Sequence, residues 1–504
     1  MANDERGGGR ILYSAEVFKD TGGATNYSST IAVEQGLEVF GGASAPRRPR
    51  PTRTIHEPAR ETPLFAETDV VVVGGGPAGT AAAVAAARLG AEVLLLERYN
   101  HLGGLSTGGL VIWIDRMSDW SGKHIIRGFA GDIMERLPKA AVQGPTQADW
   151  GSRDAATAAY WAQRTAAFHG IVTWSPTVDP EALKTASLQM VVEAKVRLVL
   201  HAWATAVIRE DSLVKGVIFE SKEGRQAILA KVVVDTTGDA DLIARTPASF
   251  ESDIDEDDIH HCINTAFLLG GVDMERWLAF RRDDARGFSE FMATGRAKLK
   301  FFEKPFVSWR NDVALFMGPR LAGYSAVDVE DLTVVELRSR QLAVGHLEVY
   351  RQYAPGFAKA FLMLGAPQIG VRHSRRLNAV RKVTRQQWTS GQVWEDEIGV
   401  STSLSPKFAN VSIPYGALIP AELDNILGAG RHVACDASSH TFLREIPQCW
   451  LTGQAAGVAA AMAAARSQRP RDVDARALQR ELLRQGAYLS PPIAAAMPSA
   501  SAAE

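Results

Sequence analysis

A glycine-rich turn between a short β-branched run and an alanine-rich run constrains this chain more than any other feature. Asp69 to Val73 is strand-like, Gly74-Gly75-Gly76-Pro77-Ala78-Gly79 has the spacing G-x-G-x-x-G, and Thr80 to Leu89 is rich in alanine and ends at Gly90. Ala91 to Glu97 then reads as a second strand. That order predicts a βαβ unit with Gly90 at the helix C-terminus. The glycines differ in what they allow. Gly74 permits the tight turn, Gly76 lets the backbone approach a pyrophosphate, and Gly79 lets the helix pack on its strand. Pro77 and Ala78 open the helix, whose amides and dipole face the phosphates. Glu97 ends the second strand, where a carboxylate accepts hydrogen bonds from a ribose diol; an acid there argues against a 2′-phosphate. A glycine turn and a surface Glu in an unrelated α/β protein remain the alternative on these residues alone.

Three further segments suit nucleotide contact. Arg98 and the pair Gly103-Gly104 follow the acidic residue, with Leu105, Ser106 and Thr107 beyond them; the pair admits close backbone approach, and the hydroxyls are placed to bond phosphate or ring atoms. Asp235 to Asp241, with Gly238 and Asp239, ends a strand. Asn425 to Arg431, with Gly430, ends another and precedes a long small-residue helix starting near Pro447. Gly104 to Gly108 also matches the G-x-S-x-G of a hydrolase elbow, but it lacks the strand before and the helix after that such an elbow needs.

Further strands are expected at 197–200, 204–209, 213–220 and 231–235, with Glu223-Gly224 as a hairpin turn, and helices at 180–193 and 335–350. Residues 1–65 read as an arm or linker rich in Gly, Ser, Thr and Pro. Residues 251–375 have less regular alternation and many aromatics, including Phe267, Trp277, Phe302, Phe306 and Phe316, as expected of an inserted substrate or cap domain. Residues 66–250 and 376–470 then form the two parts of one nucleotide-binding domain, and 471–504 a C-terminal helix and tail.

A net charge of −2 and scattered basic residues give no footprint for nucleic acid or an anionic membrane, so a small-molecule partner is expected. Cys262, Cys435 and Cys449 form no C-x-x-C, which leaves reduced thiols and points to the cytoplasm. The acidic run from Asp253 to Asp258 beside His260-His261 lacks ligand spacing, so no metal site is expected.

Several motifs together resemble the FAD-dependent oxidoreductases that share a glutathione-reductase-like FAD domain. They are the run Ile55 to Arg60, the fingerprint, Gly103-Gly104, Thr237 to Asp241, Gly370-Val371-Arg372, Ile413-Pro414-Tyr415, Gly428 to Arg431, and Gly453-Gln454-Ala455-Ala456-Gly457. The resemblance covers about residues 54 to 489. It implies FAD as cofactor, with Gln454 and Ala455 among its contacts, and redox chemistry without a stated substrate. It also carries over a His and, four residues on, an Arg before the late helix: His440 as acid or base, Arg444 as anchor for a carboxylate or carbonyl. A His bonded to the backbone and an Arg paired with Glu445 are the competing readings. By the same resemblance His261 is a candidate for the pocket lining.

The expected architecture is therefore a Rossmann-type FAD domain of the α/β class with an inserted α+β cap. Its expected reaction passes a hydride between a small organic substrate and flavin N5, with the helix near Pro447 aiming its positive end at the flavin. Only one fingerprint is present, so O2 or a separate carrier is expected to exchange electrons with the enzyme. The oligomeric state stays open, with a homodimer among the options. A flavin monooxygenase and a non-catalytic flavin sensor are the alternatives.

Overall fold

The computed structural model describes the strand Ala32–Val33 and residues 53–252, 263–318, 320–322 and 324–496. The acidic run, His260, His261 and Cys262 lie outside these residues, as does most of the arm.

Leu64–Val73 (β1) enters from the surface and buries its last four valines completely or nearly so. A strand covered on both faces reads as a continuous apolar run, not as an alternation. The chain turns at Gly74, whose φ of +100° and close approach to the Thr236 carbonyl leave no room for a side chain. It then enters the helix Pro77–Ala87 (α1), where Pro occupies the first turn and Ala78 to Ala86 are all buried. Val93–Leu96 (β2) follows, then the helix Pro180–Glu193 (α2), capped by the Asp179 carboxylate on the amides of Glu181 and Ala182, then Arg197–Val199 (β3). Trp203–Glu210 (β4), Leu213–Ser221 (β5) and Gly224–Asp235 (β6) make an antiparallel meander. The sequence places the last of these at 231–235; it begins seven residues earlier, because Gly224, at φ +100°, turns the hairpin and the chain extends at once.

β6 carries two partners on one side. Its first half pairs with β5 and its last three residues with Ile426–Gly428 (β7), while its other side runs parallel to β1. The parallel strands thus lie in the order β3-β2-β1-β6-β7. Val73, Leu96, Asp235 and Gly428 end at one edge of this sheet, where open α/β sheets bind ligands.

The helix Ile446–Ala465 (α3) crosses α1 so closely that a Cβ on Gly453 would fall on the backbone of Ala78, and one on Gly457 on that of Ala82. Small residues on both helices make this approach feasible.

A second sheet, ordered Phe306–Val307, Val313–Phe316, Phe267–Gly270 and Phe361–Gly365, is antiparallel throughout. Helices Met274–Asp283, Ala285–Leu299 and Val329–Tyr353 cover it, and the last of these is longer at both ends than its apolar periodicity suggests. Phe267, Trp277, Phe302, Phe316 and Tyr350 form a core of their own there. Most aromatics that mark this stretch in the sequence therefore hold the lobe together, while Phe306 faces the cavity described next. No described helix is long and apolar enough to cross a membrane.

Candidate active site

A cavity of about 1840 Å³, its mouth included, lies at the carboxyl edge of the parallel sheet. One end suits a nucleotide. Gly76 is the N-cap of α1 and has no side-chain cap, so the first-turn amides are left to a ligand. A Cβ on Gly76 would meet nothing nearer than the Gly104 Cα at 4.0 Å, so this glycine opens on the cavity. Gly104, at φ +50°, packs its backbone against Gly76, where a side chain would come within 2.8 Å of the Gly76 Cα.

Glu97 lines the same end. Its Oε2 accepts the Gly75 N–H at 2.6 Å and its Oε1 the Tyr99 N–H at 2.8 Å, so backbone amides fix the carboxylate. Burial pushes its pKa up, against the opposing pull of those amides. Arg98 lies across the rings of Tyr99 and Trp203.

Behind the cradle, Asp239 accepts hydrogen bonds from Arg431 Nη2 at 2.7 Å and Ser374 Oγ at 2.5 Å, and Arg431 Nε donates to the Gly238 carbonyl. Burial opposes the Asp239 charge, but Arg431 and Ser374 hold its carboxyl below the usual range. The segments around Gly238 and Gly430 are thus joined by an ion pair.

The other end has a different chemistry. Trp113, Phe168, Phe306, Met317 and Leu404 form apolar walls, and Asp115, Arg116, Arg444 and Glu445 add four ionisable groups. Asp115 and Arg116 form a bidentate pair at 3.0 and 2.9 Å, both buried, and the Arg116 guanidinium lies over the rings of Trp120 and Phe168. Arg444 Nη2 stands 3.1 Å from Glu445 Oε1. Ile446, first residue of α3, lines the wall beside them, and no side chain caps this helix start.

Of the residues picked out by sequence, Gly74, Gly76, Pro77, Ala78, Glu97, Arg98, Gly104, Leu105, Gly238, Asp239, Gly430, Arg431 and Arg444 line this cavity. Gly79 serves the helix contact: a Cβ there would strike the Gly74 carbonyl and the Thr236 hydroxyl. Gly103, at φ +91°, closes the loop by donating its N–H to the Gly75 carbonyl. The hydroxyls of Ser106 and Thr107 do not reach outward, because they donate to the carbonyls of Gly103 and Leu102 within their own loop.

Gln454 ties α3 to two distant segments instead. Its Oε1 accepts the Phe129 N–H and its Nε2 donates to the Gln485 carbonyl. Ala455 is fully buried in α3. His261 lies outside the described residues. His440 is sealed from solvent, with Nδ1 2.7 Å from Nδ1 of His373 and Nε2 2.5 Å from the Arg431 carbonyl. Both ring nitrogens are engaged, which is the backbone-bonded alternative, and Arg444 is paired with Glu445 as the other alternative has it.

Asp115 and Arg116 escape sequence reasoning, and Glu445 enters it only as a partner for Arg444. The one available signal is a charged pair directly after the apolar run Leu110 to Ile114.

The residues present fit FAD: an uncapped helix start behind a side-chain-free glycine, a carboxylate held for a ribose, and a cavity continuing past the cradle to the start of a second helix. Part of the chain is 27% identical, over 230 residues, to digeranylgeranylglycerophospholipid reductase 2 of Methanopyrus kandleri, covering 41% of this chain and 50% of that protein. It is 30% identical over 214 residues to the reductase of the same name from Methanothermobacter thermautotrophicus, covering 41% and 48%. The chain therefore spans about half the length of the curated relatives it matches. Among solved structures, the flavin-dependent brominase Bmp2 aligns at 14% identity over 83% of each chain with a TM-score of 0.43. The family model described as FAD dependent oxidoreductase matches residues 69–482, and the chain belongs to that family, with FAD as its cofactor.

Proposed function

We propose that this oxidoreductase transfers a hydride between a small, largely apolar organic substrate and FAD. The observation that carries the reading is the continuity of one cavity, with a nucleotide cradle at one end and an aromatic, charged chamber at the other. Bound there, FAD supplies a two-electron hydride acceptor or donor.

The chain's own residues do the rest. Trp113, Phe168 and Phe306 offer flat apolar surface to a ring or a conjugated chain and keep water away from it. Arg444 and Arg116 stand where a carboxylate or carbonyl of the substrate could be anchored by charge-assisted hydrogen bonds. The uncapped start of α3 directs partial positive charge at the same chamber, where negative charge develops during reduction. The matched relatives, named as reductases of a digeranylgeranylglycerophospholipid, favour a substrate bearing a carbon–carbon double bond or its saturated product. A single fingerprint in the chain leaves O2 or a separate carrier as the second redox partner.

The test begins with the visible absorption of the purified protein before and after acid precipitation. Flavin bands released to the supernatant are expected, followed by bleaching of those bands when a panel of aromatic and isoprenoid acids and alcohols is added without oxygen. Bound flavin that no member of the panel bleaches, and that once photoreduced is not reoxidised by any of the matching alkenes, would count against this reading.

A further inference from the structure

We propose that Asp115 is the proton donor and acceptor that accompanies hydride transfer, with Arg116 holding its carboxyl at the cavity wall. The inference rests on the hydride-transfer reading above and assigns its proton.

In an extended chain, successive side chains point to opposite faces. Asp115 and Arg116 nevertheless share a bidentate pair, and they do so because Arg116 adopts φ +24°, a backbone state that L-residues with bulky side chains rarely occupy. Such strain persists where the surroundings enforce it, and it concentrates at functional sites. Here the Arg116 N–H is held by Ser175 Oγ, and the flanking amides of Ile114 and Met117 by the carbonyls of Pro176 and Trp174. The strained turn puts both side chains on the cavity wall.

Each Asp115 oxygen accepts one N–H from Arg116, and a carboxylate oxygen has two acceptor sites. Among the described residues nothing else bonds these oxygens, which leaves the second site on each for a ligand.

The neighbouring groups suit a carboxyl that changes protonation. Burial opposes its charged form most, so its pKa is raised; Arg116 and Arg444 favour the charged form, and Glu445, from the start of α3, opposes it. His169, beyond Trp120, is itself held below its usual range, mainly by burial. A carboxyl raised in this way holds a proton at higher pH than an exposed Asp does, which is the direction a general acid needs. His440, the other candidate, has both nitrogens engaged.

Atoms and electrons balance in both directions. In the oxidative direction the substrate C–H bond breaks, its electron pair leaves with the hydride to the cofactor, and the proton released from the neighbouring O–H or C–H bonds to the Asp115 carboxylate. In the reductive direction the Asp115 O–H bond breaks and its proton goes to the substrate carbon or oxygen that has become electron-rich.

Two measurements on the FAD-loaded protein test the assignment. The first needs no substrate: infrared spectra across pH should show a protonated carboxyl carbonyl band that titrates in the parent and is missing from Asp115→Asn. The second uses whichever compound bleaches the flavin in the screen above. Asp115→Asn should retain its flavin bands and bleach about 100-fold or more slowly, having lost the pH limb seen in the parent. Asp115→Glu should recover part of the rate, and Glu445→Gln should move the limb to lower pH by removing a like charge.

An Asp115→Asn protein that bleaches at the parental rate, or an unmoved limb in Glu445→Gln, would overturn the proposal. If Asp115→Asn fails to retain FAD, the Glu445→Gln limb and the Asp115→Glu rate decide. If nothing bleaches the parent, the hydride-transfer reading fails while the infrared titration still rules on the Asp115 proton.

Discussion

His373 and His440 approach nitrogen to nitrogen, Nδ1 to Nδ1 at 2.7 Å, and the second nitrogen of His440 meets the Arg431 carbonyl. A carbonyl only accepts, so His440 Nε2 carries the proton; its Nδ1 then accepts from His373 Nδ1–H. Burial, followed by the charge of Arg376, pushes the His440 pKa well down, and the ring stays neutral. The pair sets the position of Arg431, whose guanidinium ties Asp239 and Gly238 together at the edge of the cradle.

His440→Ala should accordingly loosen FAD and destabilise the fold by about 1–3 kcal/mol, the cost of a buried carbonyl left without its donor. With FAD kept saturating, the bleaching rate should remain within a few-fold of the parent. Fluorescence titration of apoprotein with FAD, run beside stopped-flow bleaching, separates the two effects. A rate loss as large as that expected for Asp115→Asn, with unchanged FAD affinity, would return His440 to the chemistry.

Gly76 and Gly79, in the same turn, should respond differently to a methyl group. A methyl on Gly76 has 4.0 Å of clearance from protein atoms but projects into the cavity where we propose that the nucleotide sits; a methyl on Gly79 collides with the Gly74 carbonyl. Gly76→Ala should therefore fold with a melting temperature near that of the parent apoprotein and bind FAD at least tenfold more weakly. Gly79→Ala should lose stability with or without FAD. Calorimetry of both apoproteins checks this, and equal destabilisation of the two would contradict the assignment.

The cradle was legible because its causes are local. Turn, helix start and the acid at the end of the next strand follow from residue types within one βαβ unit, and Gly74, Gly76 and Glu97 line the same cavity. What escaped depends on contacts between distant segments. Nothing near Asp115 in the chain announces that Arg444 and Glu445 will face it, and the backbone state of Arg116 has no signature in residue type. Ser106 and Thr107 illustrate the converse: hydroxyls beside a glycine pair suit a phosphate, yet the loop closes on itself and uses them. The aromatics of the second lobe serve mostly its own core, since a small lobe needs large side chains there before any are left for a ligand.

The crossing of α1 and α3 yields a further prediction. Gly453 and Gly457 stand one helical turn apart, each against the α1 backbone, so the two helices meet with no side chain between them. Gly457→Val should push the helices apart, at a cost of about 1–3 kcal/mol or more. Because Ala78 and the start of α3 both line the cavity, FAD affinity should fall with it. A thermal melt followed by flavin fluorescence should show release of cofactor at a lower temperature than in the parent. Unchanged release would mean that the crossing tolerates separation without moving the cradle.

His346 gives the chain an acid-sensitive point away from the cavity. The ring is fully buried against Phe302; its Nδ1 faces the Leu342 carbonyl at 2.7 Å and its Nε2 accepts the Glu303 N–H at 3.1 Å. Only the neutral tautomer protonated on Nδ1 satisfies both contacts. Burial lowers its pKa from 6.5 to about 4. The unfolded chain thus takes up this proton first as pH falls, so the stabilisation is whole above the unfolded value and drains away between 6.5 and about 4, by up to ~3 kcal/mol. Urea unfolding of the parent should lose about 2 kcal/mol from this group between pH ~7.5 and pH ~5. His346→Gln should start less stable at the higher pH and fall less steeply toward the lower one. Parallel slopes for the two proteins would show that His346 does not remain neutral in the folded chain.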